Sequence, residues 1–242
     1  MKRNQSGFTL IEIAIVLVII GLLLGGVLKG QELINSAKVK NLATDFKNIP
    51  IFIYGYQDKF KALPGDDGCA YTSATCTNPH LTAPAIVLAN SGGSGNGNGN
   101  GVIDGKWIDT AATPNSEAYN FWQHIRVAGL APGSIDPTGD FRPTNSAGGS
   151  IGIQSGSVVA ANVPMYADAA KTLPIRGSYV ICSSGILGKF VKQLDTTLDD
   201  GNTATGSMMA TDTTLTPYAM GAVATAAGNI VDSNSYVVCY GV

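Results

Sequence analysis

Ser6–Gly26 reads SGFTLIEIAIVLVIIGLLLGG, and how this stretch is read decides the rest of the chain. From Phe8 to Leu28 the residues are almost all apolar. At the helical rise per residue the run spans roughly 31 Å, enough to cross the hydrocarbon core of a bilayer. One carboxylate, Glu12, lies near its start. A charge inside such a span costs on the order of 1–3 kcal/mol, so it marks a site rather than an accident.

Ahead of the run, Met1–Gly7 is short, polar and basic, with Lys2 and Arg3. A secretory signal places a shorter apolar core before an Ala-x-Ala-like cleavage point. Here the small residue, Gly7, comes before the core. The positive-inside rule puts Lys2 and Arg3 in the cytoplasm and everything beyond Leu28 outside. An uncleaved signal anchor is the plainer alternative on these features alone.

The chain has 242 residues, 15 Lys and Arg against 17 Asp and Glu, and 30 Gly. Its length accommodates one membrane segment and one further domain of ordinary size. The absence of a basic excess argues against a nucleic-acid groove. The two histidines, His80 and His124, stand far apart in sequence, which leaves little material for metal or imidazole-base chemistry.

Four cysteines suit an oxidising compartment and allow three pairings. Cys69 and Cys76 flank a turn-rich stretch, and Cys182 and Cys239 lie in two strand-like segments. This placement favours 69–76 and 182–239, worth roughly 2–3 and 4 kcal/mol by loop-closure entropy. The spacing lacks any Cys-x-x-Cys and is poor for zinc.

Beyond Leu28, apolar Leu33, Ile34, Val39, Leu42, Phe46 and Ile49 recur at intervals of three and four among Lys29, Glu32, Lys38, Lys40, Asp45 and Lys47. This predicts an amphipathic continuation of the same helix to about Phe60, with one stripe to bury. Pro50 is expected to kink or locally break it, and ALPGDDG, 62–68, to end it. Gly21, Gly25, Gly26 and Gly30 supply G-x-x-x-G spacings that admit close approach of another helix. Glycine is also simply common in membrane helices.

The head is expected to start at Ala62. Residues 91–105 form a Gly/Asn/Ser loop by composition. A helix is predicted over Thr113–Leu130, with Thr113 as N-cap, Pro114 in the first turn and Gly129 near its end, burying Ala118, Phe121, Trp122, Ile125 and Leu130. Strands are predicted at Ile151–Gln154, Ser178–Cys182 and Tyr236–Tyr240, with a weaker one near Ala219–Thr225. Ile186, Leu187, Phe190, Val191 and Leu194 mark another short helix. The fold class expected is α+β, a long N-terminal helix laid on a small antiparallel sheet. Its parts would be 1–7 leader, 8–61 helix with a transmembrane part 8–28, and 62–242 head.

Gly7-Phe8-Thr9-Leu10-Ile11-Glu12, with its short basic leader and following apolar run, resembles the type IV prepilin family, including the pseudopilins of type II secretion. The fragments YQDKFKALPGDD, FWQHIRVAGL and LDDGNTATG are similar to those of prepilin-like proteins with larger heads. The resemblance implies cleavage between Gly7 and Phe8 by a membrane prepilin peptidase, N-methylation of the new Phe8 amine, and assembly into a helical filament. Its implied partners are other copies or other pilins, the peptidase/methyltransferase, an inner-membrane assembly platform and membrane lipid. The head would be periplasmic, or extracellular in a filament.

Elementary electrostatics gives those residues a reason. A freed α-amine has a reference pKa near 8 and is largely cationic at neutral pH. Glu12, one turn along, is an anion in need of a partner in a low-dielectric bundle. The amine of a neighbouring subunit's Phe8 or the chain's own Phe8 amine would neutralise it. Such a pair sets register more than it adds stability.

Two segments suggest calcium. Asn96, Asn98, Asn100 and Asp104 follow the opening pattern of an EF-hand-type loop, although position twelve is Trp107. Asp195, Asp199 and Asp200 cluster in LDTTLDDGN, for which an ordinary polar turn is the plainer reading. No phosphate-binding loop and no Gly-x-Ser-x-Gly is present, and Asp66-Asp67 reads as a turn rather than an acid–base dyad. The expectation is therefore a non-enzymatic filament subunit. A minor subunit acting as an adhesin or calcium-responsive binder comes second, and a membrane-anchored enzyme a distant third.

Overall fold

The computed structural model describes residues 10–82, 95–110, 113, 116–135 and 142–242. Helix α1, Leu10–Phe60, is a single 51-residue helix, about 76 Å long at the α-helical rise. It does two jobs in succession. Apart from Glu12, its first turns are apolar all round and exposed, whereas burial begins at Val39. From there Val39, Leu42, Ala43, Phe46, Ile49, Ile53 and Tyr56 form one buried stripe at helical spacing.

Pro50 lies inside α1, and the helix runs on through it to Phe60, so of the kink or break expected there the break does not occur. The missing N–H removes one rung of the ladder. Phe46 and Ile49 before it, and Ile53 and Tyr56 after it, are all buried, so tertiary packing holds both flanks in helical register. The helix ends where expected, with Lys61 in the left-handed region (φ 57°) donating its N–H to the Gln57 carbonyl.

A second helix, α2, spans Glu117–Val127. Its N-cap is Ser116 rather than Thr113: the Ser116 hydroxyl accepts the Tyr119 N–H. The Thr113 hydroxyl instead accepts from Thr110 N–H in the preceding turn, and Pro114 lies outside the described residues. Ala118, Phe121, Trp122 and Ile125 are buried as the pattern requires, while Leu130 is only half-buried. Glu117, Asn120, Gln123 and His124 are buried too, so α2 has no solvent face along most of its length.

The strands are β1 Ile151–Ser155, β2 Met165–Tyr166, β3 Tyr179–Leu187, β4 Met208–Asp212, β5 Ala222–Val223 and β6 Ser235–Gly241, with helix α3, Gly188–Leu198, between β3 and β4. The main sheet is antiparallel throughout, in the order β1-β3-β6-β4, and β2 and β5 make a small parallel pair. Ile186 and Leu187 belong to β3, not to the following helix. β4 and β2 were not visible as strands in the sequence, and the stretch near Ala219–Thr225 contributes only the two residues of β5.

Side chains alternate across the main sheet with period two. Ile151, Ile153, Ile181, Met208, Ala210, Tyr236 and Val238 join α1, α2 and α3 in the larger core. Val180, Cys182, Met209, Val237 and Cys239 face the other way, onto Trp107, Met165 and Ile175. Both faces are therefore covered. Phe46 of α1 meets Tyr240 of β6 edge to face, with ring centroids 6.0 Å apart. Cys182 and Cys239, register partners across β3 and β6, form a disulfide with Cα atoms 4.0 Å apart, and Cys69 is bonded to Cys76.

Candidate functional site

The exposed half of α1 is the feature that sets this chain apart from an ordinary globular fold. Leu10, Ile11, Leu17, Val18, Leu22, Leu23, Leu24 and Leu28 are each more than half exposed. A helix of this length and composition is able to cross a membrane, and the apolar window that qualifies it is not buried in the protein at all. Added Cβ atoms at Gly21, Gly25, Gly26 and Gly30 would touch nothing, so this small-residue surface is open. Glu12 is exposed in the first turn of α1. Gly7 and Phe8, where cleavage and methylation are expected, lie outside the described residues.

At the other end of α1, two turns and two histidines converge. Asp66 and Asp67 are both buried. The Asp66 carboxylate collects three backbone N–H groups of the Gly/Asn loop: Gly99 at 2.7 Å and Asn100 at 3.0 Å on Oδ1, and Gly101 at 2.7 Å on Oδ2. Asp67 accepts the Tyr56 hydroxyl and His80 Nδ1–H on Oδ2, both at 2.7 Å, and Cys69 N–H on Oδ1. Burial, then the neighbouring Asp67 charge, push the Tyr56 hydroxyl pKa far up, so it stays a donor. His124 accepts Gly65 N–H on Nδ1 and donates from Nε2 to the Gly95 carbonyl. Full burial pushes its imidazole pKa down, against the Gly95 bond and the Asp67 charge. It is a neutral, structural histidine. Glu117 accepts Asn98 N–H and Asp104 N–H, and burial raises its carboxyl above the ordinary carboxylate range despite those bonds.

This cluster ties the end of α1, the Cys69–Cys76 loop, the 95–105 loop and α2 into one unit. A Cβ on Gly97 would collide with the Asp66 backbone, so the close approach requires glycine. Among the described residues no serine or lysine side chain bonds to either carboxylate, and Asp67 accepts three donors.

Of the loop residues named for calcium, Asn96 turns away and clasps the backbone of Tyr71 through both its side-chain oxygen and nitrogen. Asn98 and Asn100 are brought together with Asp104, each donating from Nδ2 to Asp104 Oδ2 at 2.9 Å. Their oxygens accept Asn100 N–H and Val102 N–H. Asp66, which sequence spacing could not associate with this loop, occupies its centre. Asp195, Asp199 and Asp200 are also brought together, with carboxylate oxygens within 4.8 Å of one another. Burial, then Asp200 and Asp199, push the Asp195 carboxyl up to about 7.

Residues 2–28 match the family model of the prokaryotic N-terminal methylation motif. The N-terminus thus carries a prepilin-type cleavage and methylation signal of the kind carried by type IV pilins and pseudopilins, which supports a type IV pilin-like precursor. The motif is that of a structural subunit and not of an enzyme family. No curated protein and no solved structure matches the chain.

Proposed function

We propose that the chain is a precursor cut between Gly7 and Phe8, methylated on the Phe8 amine, and assembled through α1 into a pilus or pseudopilus filament. The observation that carries this reading is the junction of the methylation motif at residues 2–28 with an apolar helical half that is not buried among the described residues. Before cleavage, Lys2 and Arg3 hold the leader at the cytoplasmic face, and the head lies beyond the membrane. The disulfides Cys69–Cys76 and Cys182–Cys239 suit that oxidising side. Cleavage frees a cation next to the Glu12 carboxylate, so processing switches a stored membrane protein into a polymerisable subunit.

Intact-mass measurement after co-expression with a prepilin peptidase tests the first step. The expected product lacks Met1–Gly7 and carries one added methyl group. An unshortened chain, or one cut after the apolar run, would overturn the reading. Recovery of the processed chain from sheared filaments tests the second step.

A further inference from the structure

We propose that Asp195, Asp199 and Asp200 form a binding site for one hard divalent cation of the calcium type, tying the end of α3 to the turn that leads into β4. Asp195 is fully buried, and neither of its carboxylate oxygens has a hydrogen-bond partner among the described residues. Buried acceptors are nearly always partnered, and a buried carboxylate without a counter-charge is expensive. Its neighbours make the deficit worse, because the three carboxylates lie within 4.8 Å of one another and none forms an ion pair among the described residues.

The two partners are held as ligands are held. Asp199 Oδ2 accepts Ser207 N–H at 2.6 Å and Met208 N–H at 2.9 Å. Asp200 Oδ1 accepts Asn202 N–H at 2.8 Å. Each is oriented through one oxygen, and the other oxygen makes no hydrogen bond among the described residues. A Cβ on Gly206 would overlap the Asp199 carboxylate, so this turn is shaped around it. A set of carboxylate oxygens without nitrogen or sulfur selects a hard cation. Asp200 is exposed, which leaves a side open for the ion and its remaining water ligands. Calcium, tolerant of irregular oxygen shells, suits this arrangement better than magnesium, which demands a near-ideal octahedron.

The test is calcium titration of the detergent-solubilised full chain after EGTA treatment, by calorimetry and thermal melting, with magnesium as a second arm. Wild type is expected to bind one calcium at this site. At a hundredfold excess over Kd its Tm should rise by roughly 5–10 °C. Asp200→Asn, at an exposed position, is expected to weaken binding about tenfold or more. Asp195→Asn is expected to abolish binding while melting no lower than wild type in EGTA, since it removes a buried charge. No calcium binding by wild type up to about 10 mM, beyond even weak extracellular sites, overturns the proposal. So does wild-type affinity in Asp200→Asn, which would place the ion elsewhere, for instance at the 96–104 loop. Should Asp195→Asn fail to fold, Asp200→Asn decides.

Discussion

Gly65 N–H donates to His124 Nδ1 at 2.9 Å, and this one bond fixes the ring's tautomer. With Nδ1 occupied as an acceptor, the proton sits on Nε2, where it reaches the Gly95 carbonyl at 2.8 Å. The ring lies nearly parallel to Tyr56 and meets Tyr71 edge-on. Protonating Nδ1 would break the Gly65 bond and leave a charge in a fully buried site.

The pH consequence has a definite sign. Because the folded pKa of His124 is lowered from its ordinary value of 6.5, the unfolded chain binds more protons below that pH. The stability contributed by the neutral ring is complete above about pH 6.5 and is lost as pH falls below it. The stability gap between wild type and His124→Gln should therefore narrow in acid. Chemical unfolding of both proteins between about pH 7.5 and 5 measures it. A gap that widens in acid would sink the assignment.

Asp66 organises a loop that has almost no apolar side chains of its own. Asp66→Asn replaces one acceptor oxygen by a donor facing backbone N–H groups, so it should cost about 1–3 kcal/mol. Loss of hydrogen-exchange protection should be concentrated at Gly99, Asn100 and Gly101. A uniform loss across the whole head would show instead that Asp66 serves global packing.

The two disulfides close loops of very different length, with sequence separations of 7 and 57. Loop-closure entropy then predicts losses of roughly 2–3 kcal/mol for Cys69→Ala/Cys76→Ala and about 4 kcal/mol for Cys182→Ala/Cys239→Ala. The second pair is fully buried in the sheet, so its loss should also leave small cavities. Denaturant midpoints of the two double variants, compared with wild type, give the order directly.

Glu12 lies in the half of α1 that carries no core residue. Glu12→Gln should therefore leave head stability within about 0.5 kcal/mol of wild type, as for surface changes generally. Cleavage should proceed, because the change is beyond the Gly7–Phe8 bond. Incorporation into filaments should fall sharply. Unimpaired filament yield would remove the Glu12–amine pairing from the assembly mechanism.

The long helix, the antiparallel character of the head and its main strands were legible because they rest on local pattern. Val39 to Tyr56 repeat at helical spacing, and β3 and β6 are rich in Val, Ile and Tyr. β4 was hidden for a physical reason. Met208, Met209, Ala210 and Thr211 are all buried, so no polar–apolar alternation betrays the strand. The Asp66 cluster was hidden for another. Its ligands are backbone N–H groups more than thirty positions away, and a backbone donor leaves no residue type to recognise. His80 and His124, remote in sequence, both bond to the Gly65–Asp67 turn. Pro50 shows local chemistry yielding to packing.

The late onset of burial along α1, at Val39, places stalk and head mechanically in series. Tension applied to the apolar half cannot be shared sideways with the head before that point. It arrives along the helix axis as shear, distributed over the stripe from Val39 to Tyr56 rather than concentrated at one edge. The strands beneath that stripe are stapled across β3 and β6 by Cys182–Cys239. Bonds loaded together in shear yield at far higher force than bonds opened one after another. In the filament proposed above, this geometry would let the chain transmit pull along the fibre while its head stays folded.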